Sequence, residues 1–564
     1  MDRLPVVYVR GYAGATSGID SQVDDPFYGF NLGATHVRVG GDGDPMFYQF
    51  EGPMLRLMTD ENYRLIVRGD QQQYLNDAED GTIPKESLWV YRFYDQAATT
   101  FMPEQHNEGI IERFLSSLHK HVTADGFEIE TAAAGLYDLI MTIRAKTGAD
   151  KVLVVAHSMG GLVVRCMMQK ICFQGNRVPA KSIVAKFFTY GTPHGGIAFN
   201  IAALDWAQQA FGPAGADIFA PEKMFGYLTP GKKFGDLPGR RDQWDPQLVD
   251  EKVFSAANIF CLIGTDPKDY GLSRVVVGPK SDGLVRIEHA YVRGANRAYV
   301  YKSHSGSYGE VNSEEGYQNL RRFMFGRWAV SVSLGGLPPY PKDMSQLPPE
   351  QQWPVWQADM SLAIRGVSVV ISEQQAAHWC PIQINEELSR HVDSADDPVP
   401  LASTFLLDPA HLVQLARERG DADPSQRHGG RLRYVLSLSV SKLVERGGFF
   451  SFGEHLEQVS DWSDSLIVDV GPNDAGTGLQ AWAAWNSQVA GPNDELDPIT
   501  EGLPADKRHP ITFDTTAGMR SCDITLPAVG QALPVLGAGA HITIQVTDRI
   551  TPSTPLAVSG EPGR

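Results

Sequence analysis

The sequence is short of cysteines, has no basic excess and contains no long apolar run. Cys166, Cys172, Cys261, Cys380 and Cys522 are an odd set without Cys-x-x-Cys spacing. That excludes an all-paired disulfide framework and a zinc cage of ordinary spacing, and leaves buried free thiols in a reducing compartment as the expectation. Lys and Arg number 49 against 67 Asp and Glu, a net charge of −18. Phosphate backbones demand the opposite balance, so no nucleic-acid partner is expected. The same charge disfavours electrostatic docking on an anionic membrane. No window approaches the ~18–20 apolar residues of a membrane span. Met1-Asp2-Arg3-Leu4-Pro5 runs straight into a strand-like segment without a signal-peptide core. A cytoplasmic location is therefore expected, with leaderless export as the other route.

What is present is a globular balance, 42% hydrophobic and 21% charged, over 564 residues. That length exceeds one ordinary core, so two or more domains are expected. Short apolar runs at Val6–Val9, Leu88–Tyr91, Val152–Val155, Lys186–Thr189, Ile259–Ile263 and Ala298–Tyr301 alternate with helical patterns at 108–122, 130–147, 160–173 and 313–326. This alternation predicts a mostly parallel sheet with helices on both faces over residues 1–326. Two stretches interrupt it, 15–87 and 197–256. The second carries Phe199, Trp206, Phe211, Phe219, Phe225, Tyr227 and Trp244 and reads as a cap or lid insertion.

After Gly326 the texture changes. Leu334–Pro341 and Pro348-Pro349 read as a linker, and period-2 alternations follow at Leu432–Val440, Leu466–Val470 and Ile542–Val546. The apolar parity switches at Gly366, as a β-bulge would make it do. These features predict an all-β, sandwich-like domain over 327–550 and a flexible tail over 551–564. No internal repeat and no chemical motif is legible there.

The chemistry concentrates at Val152–Val164. A buried strand runs into Ala156-His157-Ser158-Met159-Gly160, and an apolar helix follows at once. This is the strand–turn–helix setting of a G-x-S-x-G nucleophile elbow, with Ala in the first position. The turn forces strain on Ser158, and small residues at 156 and 160 avoid collisions. A Ser hydroxyl needs an imidazole to take its proton, and the imidazole needs a carboxylate to fix its tautomer. The hydrolase order Ser, Asp, His admits Asp266 or Asp282 as acid, followed by His304 after the last sheet strand. His289 lies too close to Asp282 to serve as base, and His157 inside the elbow should point away from Ser158.

The elbow resembles that of bacterial lipases and of the GPI inositol-deacylase-like branch of the α/β-hydrolases. The likeness spans residues 5–326 through Val9-Arg10-Gly11-Tyr12-Ala13-Gly14, Phe93-Tyr94-Asp95, Gly191-Thr192-Pro193-His194-Gly195-Gly196 and Ser281-Asp282-Gly283-Leu284-Val285. Arg10 stands where many members have His. The resemblance implies an α/β-hydrolase fold, Asp282 rather than Asp266 as the acid, and a catalytic set of Ser158, Asp282 and His304. It further implies an oxyanion hole from the N–H groups of Tyr12 and Met159, with Gly11, His157 and His194 lining the substrate site. The expected activity is hydrolysis of lipid-like carboxylic esters through an acyl-enzyme. Acyl transfer on the same triad, or an inactive hydrolase-fold binding or delivery protein, are the other readings. No cofactor and no metal is expected; some related lipases bind calcium near the His loop, where Gly306 offers no carboxylate. A transient membrane or protein contact is assigned to the C-terminal domain, and the oligomeric state is not legible.

Overall fold

Runs that are apolar without alternation become strands covered on both faces. In the computed structural model, Val6–Val9 (β1), Ser87–Tyr91 (β3) and Val152–His157 (β4) are buried at every position. The structure describes residues 3–11, 52–66, 71–91, 129–197, 216–233, 235–237, 244–268, 278–304, 309–339, 355–385, 387, 398–420, 432–443, 460–472, 479–489, 509–510, 514–516 and 519–549. The chain divides into two compact units, Asp2–Met324 and Phe325–Arg564.

With Arg64–Leu65 (β2), Val184–Tyr190 (β5), Ile259–Gly264 (β6) and Asn296–Val300 (β7), the first unit forms one seven-stranded sheet in the order β2-β3-β1-β4-β5-β6-β7. Every pairing is parallel. Side chains alternate between two helical layers. Val152, Val154, Phe187 and Cys261 join the core with Ile129–Thr147 (α3) and Met159–Gln169 (α4). On the other face Phe188 stacks on Phe260 at 5.0 Å, and both lie against Phe323 of Glu314–Phe325 (α6). Helix α3 buries Leu136, Leu139, Ile140 and Ile143, carries Glu130 in its first turn and ends on Arg144 and Lys146, so its charges oppose the helix dipole. The expected helix 160–173 stops at Gln169, and a short 3-10 turn, Ile171–Phe173, completes it.

The interruption at 15–87 contains Gly52–Asp60 (α1), Gln71–Asp77 (α2) and β2, and the one at 197–256 contains Pro221–Leu228 (α5). The expected helix 108–122, the Tyr94-Asp95 segment and the 551–564 tail lie outside the described residues.

The second unit pairs its strands antiparallel in two sheets. Val370–Gln374 (β10), Val355–Ile364 (β9), Leu432–Leu443 (β13), Trp462–Pro472 (β14), Leu479–Trp485 (β15) and His509–Pro510 (β16) follow one another, with Ile382–Gln383 (β11) also on β9. The other sheet runs Val399–Leu406 (β12), Trp328–Gly335 (β8), His541–Asp548 (β19), Met519–Thr525 (β18) and Asp514–Thr516 (β17). Met360, Leu362, Leu436 and Leu438 from one sheet share a core with Val330, Val332, Ile542 and Ile544 from the other. Two sequence expectations are corrected here. Gly366, at φ 82°, sits in the turn of the β9–β10 hairpin, and the register shift of that hairpin falls between Val370 and Ser372 rather than at Gly366, so the parity switch at Gly366 records a reversal of the chain. Leu334, read as linker, is fully buried in β8 between β12 and β19. Among the described residues, no helix is long and apolar enough to cross a membrane.

Candidate active site

Strand β4 ends at His157, and the chain turns through Ser158 at φ 52°, ψ −130° directly into α4. A left-handed φ is costly for a residue with a Cβ and persists only where the surroundings impose it. Here three strand ends impose it. The Ser158 N–H donates to Tyr190 C=O at 2.9 Å, and the Thr192 hydroxyl donates to Ser158 C=O at 2.9 Å. A methyl at Gly160 would meet Val9 C=O and Arg10 C=O at 2.6 Å, and one at Gly161 would meet Thr192 Oγ1 at 2.2 Å. The small residue at 160 is thus required by the carbonyls after β1. Gly11 approaches from the same side, 2.9 Å from Ser158 Cβ and His157 Nδ1 if it bore a Cβ.

The Ser158 side chain does not cap α4. Its Oγ lies 3.0 Å from His304 Nε2, and His304 Nδ1 lies 2.8 Å from Asp282 Oδ2. The second Asp282 oxygen accepts the N–H groups of Leu284 and Val285 at 2.8 and 2.6 Å. Gly283, at φ 99°, takes the left-handed position that this tight turn needs. The Asp-Gly-Leu-Val pattern is therefore a carboxylate tying its own turn. His304 is fixed three times: its N–H donates to Asp282 C=O at 2.9 Å, its C=O meets His157 Nε2 at 3.0 Å, and its Nδ1 faces the carboxylate. A carboxylate at Nδ1 selects the Nδ1–H tautomer, which leaves the Nε2 lone pair for the Ser158 hydroxyl. All three residues are buried; Ser158 is the most exposed at 6%.

Met159 stands at the first position of α4, where the N–H has no intrahelical acceptor. Tyr12 lies outside the described residues. Asp266, the rival acid, caps Lys268 N–H at 2.8 Å, and His289 Nδ1 faces Gly196 C=O. His157 and His194, grouped with the substrate-contacting residues, have rings committed to protein partners. The His194 ring lies 3.2 Å from Thr189 Oγ1 and 3.7 Å from Cys261 Sγ, with no exposed surface. Burial holds both imidazoles well below the usual range, and for His194 the neighbouring Arg165 charge pushes the same way. Both rings are therefore neutral braces.

Arg165 of α4 is fully buried, and burial pulls its guanidinium down to about 10. It donates to Gln169 Oε1, His194 C=O and Leu248 C=O, joining the nucleophile helix to the segment after α5. All five cysteines are free, and four are buried. Sequence reasoning passed over Thr192 as a brace, although it had singled out the segment containing it. It also passed over Glu310, a lone carboxyl with no pattern around it. One trio of metal-ligating residue types occurs among the described residues, His157, His304 and Glu310, with donor atoms within 4.8 Å of one another. Both His304 ring nitrogens already face Asp282 and Ser158, so a cation there would displace the relay.

A parallel sheet, a strained serine between strand and helix, and an imidazole and carboxylate from later loops define the α/β-hydrolase class. Residues 95–211, which include the elbow, match the family model described as "Putative serine esterase (DUF676)". No protein of curated function matches the chain. Among solved structures, the Bacillus licheniformis lipase BlEst2 in mature form is 20% identical over 35% of this chain and 73% of its own, with a TM-score of 0.22. Aspergillus fumigatus lipase B is 11% identical over 57% and 52%, TM-score 0.24, and the lin2722 product of Listeria innocua is 12% identical over 57% and 94%, TM-score 0.22.

Proposed function

We propose that this protein is a serine carboxylic-ester hydrolase acting on lipid-like esters. The observation that carries the reading is the continuous relay from Ser158 Oγ to His304 Nε2 at 3.0 Å and from His304 Nδ1 to Asp282 Oδ2 at 2.8 Å. Ser158 attacks the ester carbonyl while His304 accepts its proton, and His304 then protonates the departing alkoxide. Water, activated by the same imidazole, releases the acid from the acyl-enzyme. The Met159 N–H at the start of α4, with the Tyr12 N–H, supplies the oxyanion hole.

The lipid-like substrate class is supported by the apolar texture of the insertion around α5. Met224, Phe225 and Tyr227 are buried there, and Trp244 packs edge-on against Phe225 at 5.3 Å. Phe219 C=O and Met224 Sδ come within 2.5 and 3.0 Å of where a Gly196 side chain would begin, so this block borders the segment that braces the elbow.

Fluorophosphonate labelling of wild type and Ser158→Ala tests the nucleophile: wild type labels, the variant does not, and equal labelling moves the nucleophile elsewhere. A chain-length series of p-nitrophenyl esters tests the substrate class. Octanoyl is expected to exceed acetyl in kcat/KM, and the reverse order removes the lipid-like assignment. Product analysis with a competing alcohol or amine separates hydrolysis from acyl transfer.

A further inference from the structure

One buried carboxyl is left unused by this relay. Glu310 has no exposed surface, and among the described residues neither of its oxygens meets a partner at full hydrogen-bond geometry. Its backbone is held on both sides: its N–H donates to Ser303 C=O at 2.9 Å, and its C=O accepts from the Ser313 hydroxyl at 2.8 Å. The side chain occupies a niche formed by glycines at the ends of two neighbouring strands. A methyl at Gly191 would sit 2.1 Å from Glu310 Oε1, 2.9 Å from His304 Nδ1 and 3.0 Å from Asp282 Oδ2. A methyl at Gly264 would sit 2.8 Å from Asp282 Cβ and 3.3 Å from Glu310 Oε2. The absence of these two side chains lets a second carboxyl stand on the Nδ1 side of the imidazole, beside the first.

We propose that Glu310 is a positioning residue of this site: with Asp282 it forms a carboxyl pair on the Nδ1 side of His304, and the pair carries a single negative charge. Two carboxylates this close in a dry site resist double ionisation, so one keeps a proton. The donors decide which. Asp282 accepts two backbone N–H groups and faces His304 Nδ1, whereas the Gly264 N–H approaches Glu310 without meeting full hydrogen-bond geometry. Burial first, and the Asp282 charge second, hold Glu310 well above the usual carboxylate range. Among the described residues, the other titratable groups around it are His304, His157 and Tyr190, whose phenol burial keeps neutral. It follows that removing Asp282 moves the charge to Glu310. That carboxyl releases its proton to solvent as pH rises, and His304 Nδ1–H then donates to it.

The inference rests on the relay proposed above, and one set of full-length variants separates the two. Turnover of a p-nitrophenyl ester is measured from about pH 6 to about pH 9 for wild type, Ser158→Ala, Asp282→Ala, Glu310→Gln and the Asp282→Ala/Glu310→Gln pair. Asp282→Ala is expected to stay well above Ser158→Ala and to gain activity with pH. Adding Glu310→Gln should remove at least about tenfold more and flatten that rise, a larger loss than Glu310→Gln causes beside intact Asp282. Coincident rates and pH profiles for Asp282→Ala and the double variant overturn the carboxyl pair. Wild-type turnover in Ser158→Ala instead overturns the relay itself. If loss of the Leu284 and Val285 acceptor unfolds Asp282→Ala, Asp282→Ser keeps a hydroxyl acceptor in that turn and takes its place.

Discussion

The parallel unit buries Asp282, His304, His157, His194, Arg165 and Glu310, and hydrogen bonds tie all but the Glu310 carboxyl to strand ends, loops or one another. The sandwich, with a core of similar apolar character, buries an Arg433–Asp469 ion pair at 2.9 Å across β13 and β14 and an Asp464 whose oxygens take donors from Ser465 and Ser487. In the sandwich, Asp469 is met by Arg433 on the adjacent strand, and Asp464 by its own neighbour Ser465 and by Ser487 of the short helix Asn486–Val489. In the parallel unit, a neutral histidine stands beside another, and a carboxyl stands beside a carboxylate. Proton inventory is therefore a property of the first unit.

The largest expected effect falls on the elbow. Ser158→Ala should lower turnover by about 10⁶-fold, the scale seen when a triad nucleophile is removed, read as initial ester hydrolysis rates. Ser158→Gly should abolish turnover as well while raising stability by about 1 kcal/mol in denaturant melts, because glycine accepts φ 52° without strain. A glycine variant no more stable than wild type would mean that the turn is not strained.

Asp469→Ala comes next. It strands the Arg433 guanidinium in a buried position, and breaking such a pair from one side costs about 3–5 kcal/mol. Faster hydrogen exchange in β13 and β14, with a matching drop in denaturant midpoint, is the expected readout. A loss under about 1 kcal/mol would show that water reaches the pair.

The pH response sharpens the contrast. Glu310 stays protonated in the fold above the pH at which an unfolded Glu ionises, so unfolding releases a proton and stability falls as pH rises above about 4.3. His157 and His194 stay neutral in the fold, so unfolding takes up protons below the ordinary histidine value and stability falls as pH drops through about 6.5. Each group contributes a slope of at most about 1.4 kcal/mol per pH unit. Glu310→Gln should remove the fall with rising pH and leave the fall with dropping pH. Peptide-resolved hydrogen exchange with added denaturant should show both slopes in β4 and β5, and neither in β13 and β14.

The legibility of these features follows the range of the forces behind them. Strand β4, the elbow and α4 are contiguous in sequence, and their pattern is local: an apolar run, a small–x–Ser–x–small turn, an apolar helix. The Asp282 turn is local too, because Oδ1 ties N–H groups two and three residues away. Glu310 was not legible, since what makes it unusual is the missing side chains of Gly264 and Gly191, at strand ends 46 and 119 residues earlier. Gly366 was misread for the same reason. A parity switch is identical in sequence for a bulge and for a hairpin, and only the partner of Val370, which is Ala363, distinguishes them.

The smallest effect tests whether the elbow is held from outside its own segment. Thr192→Val keeps the volume but deletes the hydroxyl that donates to Ser158 C=O at 2.9 Å. That carbonyl still accepts Gly161 N–H at 3.0 Å, so no acceptor is orphaned, and the stability cost should be about 1 kcal/mol. The new methyl must occupy the place of Oγ1, against the backbone of Gly161, where no side chain yields to it. The turn, not the substrate pocket, then shifts, and kcat should fall roughly fivefold with KM unchanged, equivalent to about 1 kcal/mol. Thr192→Ser retains the donor and should keep most of the rate. If Ser loses as much as Val, the methyl rather than the hydroxyl holds the elbow, and the brace is one of packing.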